Sequence, residues 1–193
     1  QVYPLARGLA VLLVAVVAVA LLAEQLSTVQ LLGVGVVGGS LLALALIGKN
    51  GSRLGVMFAV LTGACIAAYS IADGLGVRIS GNPFGYISWL FLLQGIMIPI
   101  VCWKLAPNRS NHVGAIRSNW KLGSLGGLLS MAAYGIVVWA QSLAPLAFVS
   151  ALRESSVLLA GLIGAVVLSE KFSKTRMALT FTAVGGIAAL QLG

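Results

Sequence analysis

The amino-acid sequence predicts an all-α integral membrane protein with seven transmembrane helices. Three observations support this fold class: the composition, the spacing of the apolar segments and an internal repeat. Of 193 residues, 60% are hydrophobic and only 8% are charged, and the mean hydropathy is +1.06. A soluble globular domain carries roughly 25% charged residues, so too few charges are present here to form a surface that faces water.

Seven apolar segments follow one another along the chain, each near the length of about 20 residues that crosses a hydrocarbon core. Polar turns at 48–53 and 80–83 separate some of them, and 106–121 is the longest predicted loop. Pro145 suits the first turn of the sixth segment. The predicted segments are 4–23, 28–47, 54–77, 84–104, 122–141, 145–168 and 176–192.

The basic residues are distributed on one side of this arrangement. Among the twelve Lys and Arg residues, only Arg78 falls in a loop on the opposite side, and Arg7 and Arg153 lie inside segments. By the positive-inside rule, three alternate loops are cytoplasmic and the C-terminus is outside. This distribution explains the net charge of +8 better than nucleic-acid binding does. The residues in the three basic loops are Lys49, Arg53, Lys104, Arg109, Arg117, Lys121, Lys171, Lys174 and Arg176.

The chain also matches itself at one constant offset without a gap. Matches between polar or glycine residues are informative here, because polar and charged residues are scarce. Repeats of this kind are typical of secondary transporters, whose substrate site lies between the repeats. The matched pairs are Arg7 with Arg153, Glu24 with Glu170, Ser27 with Ser173 and Gly39 with Gly185.

Arg153 and Glu154 are the strongest candidates for a functional site. They lie about eight residues into the sixth segment, roughly 12 Å along its axis, where a charge costs about 2.5–3.5 kcal/mol on insertion scales. Neighbours on a helix point about 100° apart, so these two side chains are not expected to neutralise each other. Either Arg153 binds an anionic group of a substrate, or it pairs with an acid on another helix.

Arg7 is the repeat equivalent of Arg153. If the repeats are inverted, both guanidinium groups approach one cavity from opposite sides, and each can bind a carboxylate or phosphate through two parallel hydrogen bonds. The alternative for Arg7, which is nearer a helix end, is that its side chain extends to the membrane interface.

Other polar residues are weaker candidates. Tyr69 and Asp73 end the third segment, and Asp73 could pair with Arg78 or with Arg153. Gln94 and Tyr134 lie deep in their segments, where they line a cavity or form interhelical hydrogen bonds. Glu24 and Glu170, each followed by a serine, are interpreted first as helix-terminating and capping groups, with gating or proton coupling as the alternative.

Enzymatic chemistry has little support in the sequence. The single His112 lies in a polar loop, and Cys65 and Cys102 lie apart in apolar runs, so we expect no metal, no cofactor and no catalytic site. The stretch 33–38 matches G-x-G-x-x-G but lies inside a membrane segment, where small residues favour close helix packing rather than dinucleotide binding.

Several pieces of the chain resemble the EamA-like branch of the drug/metabolite transporter superfamily. They are Tyr3-Pro4-Leu5-Ala6-Arg7-Gly8, Ala23-Glu24-Gln25-Leu26-Ser27, Tyr69 to Arg78, Ala151-Leu152-Arg153-Glu154-Ser155-Ser156 and Ser169-Glu170-Lys171-Phe172-Ser173. The resemblance implies a ten-helix bundle of two inverted five-helix repeats. Residues 1–47 would then be the last two helices of the first repeat and 54–193 the second repeat, with three helices missing upstream. In similar proteins that carry sugar phosphates, basic residues of the fourth and ninth helices bind substrate, and by position these are Arg7 and Arg153.

We therefore expect a secondary carrier or exporter of small organic metabolites that works by alternating access in the plasma or inner membrane. The two arginines favour an anionic substrate. Glu154 or Asp73 would exchange a proton or balance charge. The expected partners are a small-molecule substrate and the lipid bilayer, with a homodimer left open and no nucleic acid. The alternative is a polytopic membrane scaffold subunit that transports nothing. The expected substrate-binding residues are Arg7, Arg153, Glu154, Tyr69, Asp73, Gln94 and Tyr134.

Overall fold

The computed structural model describes residues 2–46, 52–105, 109–157, 159–160, 163 and 174–192. In these ranges the regular elements are all α-helices, which confirms the predicted all-α class. The helices are α1 (Val2–Ala20), α2 (Thr28–Leu46), α3 (Arg53–Ser80), α4 (Pro83–Leu105), α5 (Arg109–Gln141), α6 (Leu146–Arg153) and α7 (Lys174–Leu192).

The chain divides into two compact units. The first unit consists of Gln1–Gly74 with Ala144–Gly193, and the second of Leu75–Leu143. Helix α3 therefore contributes its long N-terminal part to the first unit and its last turns to the second. These units are defined by compactness, whereas the boundary predicted between 47 and 54 separates two sequence repeats. That repeat boundary stays a prediction.

The core of the first unit lies where α1, α2, α6 and α7 meet. Glycines allow the close approach: a methyl group at Gly8 would lie 2.9 Å from the carbonyl oxygen of Gly38, and one at Gly33 would lie 2.9 Å from that of Gly186. Small residues at such crossings let helix backbones pack closely in a membrane, where the hydrophobic effect does not drive helix association. The buried side chains around these crossings include Val11, Val14, Val34, Val37, Leu41, Leu146, Ala151 and Leu190.

The connection between α1 and α2 is built from local hydrogen bonds. After α1, Ala23 adopts a φ of 51°, and the Glu24 N–H donates to the carbonyl oxygen of Ala18 at 2.9 Å. Helix α2 then begins with a reciprocal pair: the Gln30 N–H donates to Ser27 Oγ at 3.1 Å, and the Ser27 N–H donates to Gln30 Oε1 at 3.0 Å. This capping box confirms the capping role predicted for Ser27.

The second unit is built on the antiparallel pair α4 and α5. The rings of Phe91 and Tyr134 meet edge to face with centroids 6.3 Å apart, and a methyl group at Gly135 would lie 3.5 Å from the Ile87 side chain. No residue of α4 is buried within the structure that is described. An apolar helix with an exposed surface of this kind is suited to contact with lipid.

Helix α5 corrects one sequence prediction. The stretch 106–121 was expected to be a loop, but α5 begins at Arg109, and its part Arg117–Gln141 is long and apolar enough to span a membrane. Polar residues show that a segment leaves the hydrocarbon, but they do not end a helix. The backbone hydrogen bonds of α5 continue in the same way on both sides of that boundary.

The predicted sixth segment is also not one regular helix in its described part. Helix α6 ends at Arg153, and Glu154 forms a turn in which its N–H donates to the carbonyl oxygen of Ala151 at 3.1 Å. The Val157 N–H likewise donates to the Glu154 carbonyl oxygen at 3.0 Å. Both are i→i−3 hydrogen bonds instead of the i→i−4 bonds of an α-helix. The helix therefore tightens locally before helical residues resume at 155–157.

The number of membrane spans is supported in part. Five helices in the described ranges are long and apolar enough to cross a membrane: α1, α2, α3, α4 and the apolar part of α5. The apolar part of α7, Met177–Leu192, is shorter. Much of the predicted sixth span and the residues Glu170 and Ser173 lie outside the described residues, so the count of seven and the ten-helix repeat stay predictions.

Candidate functional site

A buried ion pair joins α1 to the end of α6. Arg7 Nη1 lies 3.0 Å from Glu154 Oε1, with the side chain of Arg7 21% exposed and that of Glu154 1% exposed. Glu154 lies in the tightened turn that directly follows α6. A carboxylate this buried is costly without a cation, and Arg7 supplies one.

Arg153 meets the same carboxylate oxygen. Its Nε lies 3.6 Å from Glu154 Oε1, and its side chain is 12% exposed. The two neighbours were not expected to neutralise each other, yet they form this contact. The tightened turn does not explain it, because adjacent residues in such a turn lie about 120° apart, and it is the long side chain of Arg153 that reaches the carboxylate. Arg153 Nη1 also donates to Ser70 Oγ on α3 at 3.4 Å.

The remaining contact of Arg7 is with Tyr3, a residue that sequence reasoning did not select. Arg7 Nη2 donates to the Tyr3 hydroxyl at 3.0 Å, and the guanidinium carbon lies 5.3 Å from the centroid of the Tyr3 ring. The spacing of four residues on one helix could have indicated this contact. Both terminal nitrogens of Arg7 therefore have partners, which fixes the orientation of the guanidinium.

The two arginines differ in how well their donors are satisfied. Buried Nε and Nη2 of Arg153 have no hydrogen-bond acceptor among the described residues, and neither Ser150 Oγ nor Glu154 Oε2 has a partner there. Ser150 is 2% exposed and precedes Arg153 by three residues on α6, so both lie on one face of that helix. Ser150 was missed by sequence reasoning, although the same spacing could have indicated it.

Three charged side chains meet at the end of α6. Two guanidinium groups and one carboxylate lie together at Glu154 Oε1, so these three groups alone carry one positive charge. Buried donors without acceptors are rare in native proteins and call for an explanation such as a bound water or ion. An anionic group with two acceptor atoms could bind the free donors of Arg153.

The other end of α6 is held by Glu24. The Leu146 N–H donates to both carboxylate oxygens of Glu24, at 3.1 Å to Oε1 and 2.8 Å to Oε2. A negative charge at a helix N-terminus satisfies a free backbone donor and opposes the helix dipole. Glu24 therefore does act as a capping group, as predicted, but for a helix distant in sequence rather than its own.

Two more predicted site residues lie on α3 in the first unit. Asp73 is buried and follows Ser70 by three residues, so it lies on the helix face that Arg153 contacts. Tyr69 is exposed. Arg78, one of the two predicted partners of Asp73, donates from Nε to the Gln141 carbonyl oxygen at 2.9 Å.

Gln94 and Tyr134 belong to the second unit, whereas the other five predicted site residues belong to the first. Tyr134 is half-buried against Phe91, and Gln94 is exposed. The structure therefore groups Arg7, Arg153 and Glu154 at one point and places Gln94 and Tyr134 on α4 and α5.

Comparison with known proteins agrees with the membrane-spanning helices. The model of the EamA-like transporter family matches residues 53–191, which include Ser70, Ser150, Arg153 and Glu154. No curated protein and no solved structure matches the chain. Because the family match covers well over half of the sequence, the chain belongs to the EamA-like transporter family, within the drug/metabolite transporter superfamily.

Proposed function

We propose that this membrane transporter is a secondary carrier of small organic anions that works by alternating access in the plasma or inner membrane. Family membership supports transport in general, and the cluster at Glu154 supports the charge of the substrate. The single observation that carries the proposal is that the buried Nε and Nη2 of Arg153 have no hydrogen-bond partner among the described residues. In this proposal the repeats supply the alternating movement, and the cluster supplies the binding site.

The two arginines have different roles in the proposed site. Arg7 already donates to Glu154 and Tyr3, so it positions the carboxylate of Glu154. Arg153 retains buried donors, and Ser150 lies one helical turn away, so these two residues bind the anionic group of the substrate. A carboxylate or phosphate suits them, because each offers two acceptor oxygens to a planar guanidinium.

Binding of the anion also changes the balance within the cluster. An incoming anion competes with Glu154 for Arg153, whose Nε is 3.6 Å from Oε1, while the closer contact to Arg7 at 3.0 Å is retained. The substrate thereby neutralises the remaining positive charge. A neutral cluster is less costly to enclose away from water than a charged one, so binding favours closure of the site.

Uptake into proteoliposomes tests the proposal. The probes are radiolabelled mono- and dicarboxylates and organic phosphates, each compared with its neutral amide or alcohol analogue. We expect saturable uptake of an anionic probe, loss of at least tenfold in R153A, partial activity in R153K, and a weaker apparent affinity in S150A. The control R53Q removes one exposed positive charge at the start of α3 and should transport as the parent does. Equal uptake by R153A and the parent would refute the site.

A second function, a membrane scaffold subunit that transports nothing, is favoured by one observation. The direct pair between Arg7 and Glu154 is sufficient to explain both residues as structural groups. In that case no probe would be taken up, and R7A and R153A would lower thermal stability without any ligand-dependent effect. Protection of the parent against heat by an anionic probe, lost in R153A, would exclude the scaffold interpretation.

A further inference from the structure

The second unit contains no acidic residue. Between 75 and 143 the chain has no Asp or Glu, but it has five basic residues, four of them between 104 and 121. The positive charge at the junction of α4 and α5 is therefore not balanced by any carboxylate of its own unit. These four residues are Lys104, Arg109, Arg117 and Lys121.

The antiparallel register of α4 and α5 brings Lys104 and Lys121 to one level. They lie equally far along their helices from the contact between Phe91 and Tyr134, at roughly 20 Å for a rise of about 1.5 Å per residue. Lys104 lies in the last turn of α4, and Arg117 and Lys121 precede the apolar stretch of α5 that starts at Leu122. These three basic residues therefore lie near one boundary of the apolar stretches.

The spacing of two basic residues makes this boundary attractive to anions. Arg117 and Lys121 are four residues apart on the same face of α5, an arrangement that is unfavourable for like charges unless an anion lies between them.

Aromatic side chains occur at the same level. Trp103 and Trp120 are both exposed, and Lys121 Nζ lies 5.9 Å from the centroid of the Trp120 ring. Exposed tryptophan is typical of the headgroup region of a bilayer, where the ring contacts lipid and the N–H contacts water. A basic cluster that also carries tryptophan is suited to a lipid headgroup rather than to a fully water-soluble anion.

We infer that the junction of α4 and α5 is a binding site for the phosphate headgroup of an anionic phospholipid. Lys104, Arg117 and Lys121 bind the phosphate, and Trp103 and Trp120 lie against the glycerol and the upper acyl chains. The site is on the side of the membrane that the charge distribution predicts to be cytoplasmic, where anionic lipids attract basic segments. It is separate from the cluster at Glu154 and does not depend on the substrate proposed above.

Lipid retention and thermal unfolding test this site. The probes are phosphatidylglycerol and phosphatidylcholine, added to the purified protein in neutral detergent. We expect phosphatidylglycerol to stay bound in native mass spectra and to raise the Tm, whereas phosphatidylcholine does neither. In R117Q/K121Q the affinity for phosphatidylglycerol should fall by about 25-fold, because each basic residue removed should lower it about fivefold. Added salt should weaken the effect in the parent.

A matched control removes two charges elsewhere. K174Q/R176Q changes the charge by the same amount at the start of α7 and should bind phosphatidylglycerol as the parent does. If R117Q/K121Q does not fold, K104Q and W120A are measured instead, with an expected loss of about fivefold for K104Q and a weaker retention of phosphatidylglycerol for W120A. Equal retention in the junction variants and the control would overturn the inference, as would equal protection by inorganic phosphate or glycerol 3-phosphate, which would indicate a site for soluble anions.

Discussion

The two units of this protein place their charges in opposite ways. The first unit contains every acidic residue of the chain, and its ion pairs at Glu154 are buried between helices. The second unit has basic residues without any acidic residue, and four of them lie between 104 and 121, from the last turn of α4 to the first half of α5. Charges buried among helices indicate a site inside the protein, whereas charges at helix ends indicate contact with the membrane surface.

The largest effect should come from removing the shared carboxylate of the first unit. In E154Q two buried guanidinium groups lose their only close carboxylate among the described contacts. We expect the free energy of unfolding to fall by about 3–5 kcal/mol, as for other buried pairs that lose one partner. Denaturant unfolding in detergent, followed by tryptophan fluorescence, measures the change.

The double variant R7Q/E154Q shows whether the stability lost in E154Q comes from the contact between Arg7 and Glu154. It should be less destabilised than the sum of R7Q and E154Q, because removing both partners leaves fewer uncompensated charges. Strict additivity would mean that the contact between Arg7 and Glu154 contributes nothing, and would weaken the contrast between the two units.

A smaller effect is expected at the glycine crossing between α2 and α7. In G33A the new methyl group would lie 2.9 Å from the Gly186 carbonyl oxygen, so the helices must move apart. We expect a loss of about 1–3 kcal/mol, typical of overpacking, measured by the same unfolding assay.

Two substitutions serve as controls for G33A. Methyl groups at Gly35 on the same helix and at Gly127 in the second unit would have no atom within 4 Å among the described residues. G35A and G127A should therefore leave stability unchanged or slightly higher. A loss in G127A as large as that in G33A would show that α5 is packed as closely as α2, and the two units would then not differ in this respect.

The smallest effect is expected at the start of α6. In E24A the Leu146 N–H loses both of its acceptors, which should cost about 0.5–2 kcal/mol, as for other lost helix caps. E24Q keeps one carbonyl oxygen as an acceptor and should retain most of the stability. Unfolding of the two variants side by side measures the difference, and a greater loss in E24Q than in E24A would contradict the capping role.

The sequence predicted the helices of this fold better than it predicted contacts between them. Apolar length placed α1 to α4 within a few residues, because membrane spans have a fixed minimum length. The same criterion failed at Arg109, where a helix continues outside the hydrocarbon, and at Glu154, where a tightened turn interrupts an apolar segment. Hydropathy does not report on either feature.

The candidate site was predicted as a set of residues but not as an arrangement. The repeat related Arg7 to Arg153, but equivalent positions in a repeat need not share a partner, and their meeting at Glu154 depends on tertiary packing. Ser150 was missed because a lone serine in an apolar segment resembles a packing residue until its neighbours are known. The contact of Glu24 with Leu146 was missed because capping was sought only within one segment.

The attachment of α6 at both ends has a consequence for how the protein moves. Glu24 holds its first residue and Arg7 holds the turn at its end. Arg7 lies in α1 and Glu24 just after it. A rearrangement that opened the cluster to the other face of the membrane would therefore carry α1 and α6 as one rigid body, or else expose a buried carboxylate. The hinges of such a cycle would lie outside this pair, so a covalent cross-link between α1 and α6 should leave turnover intact.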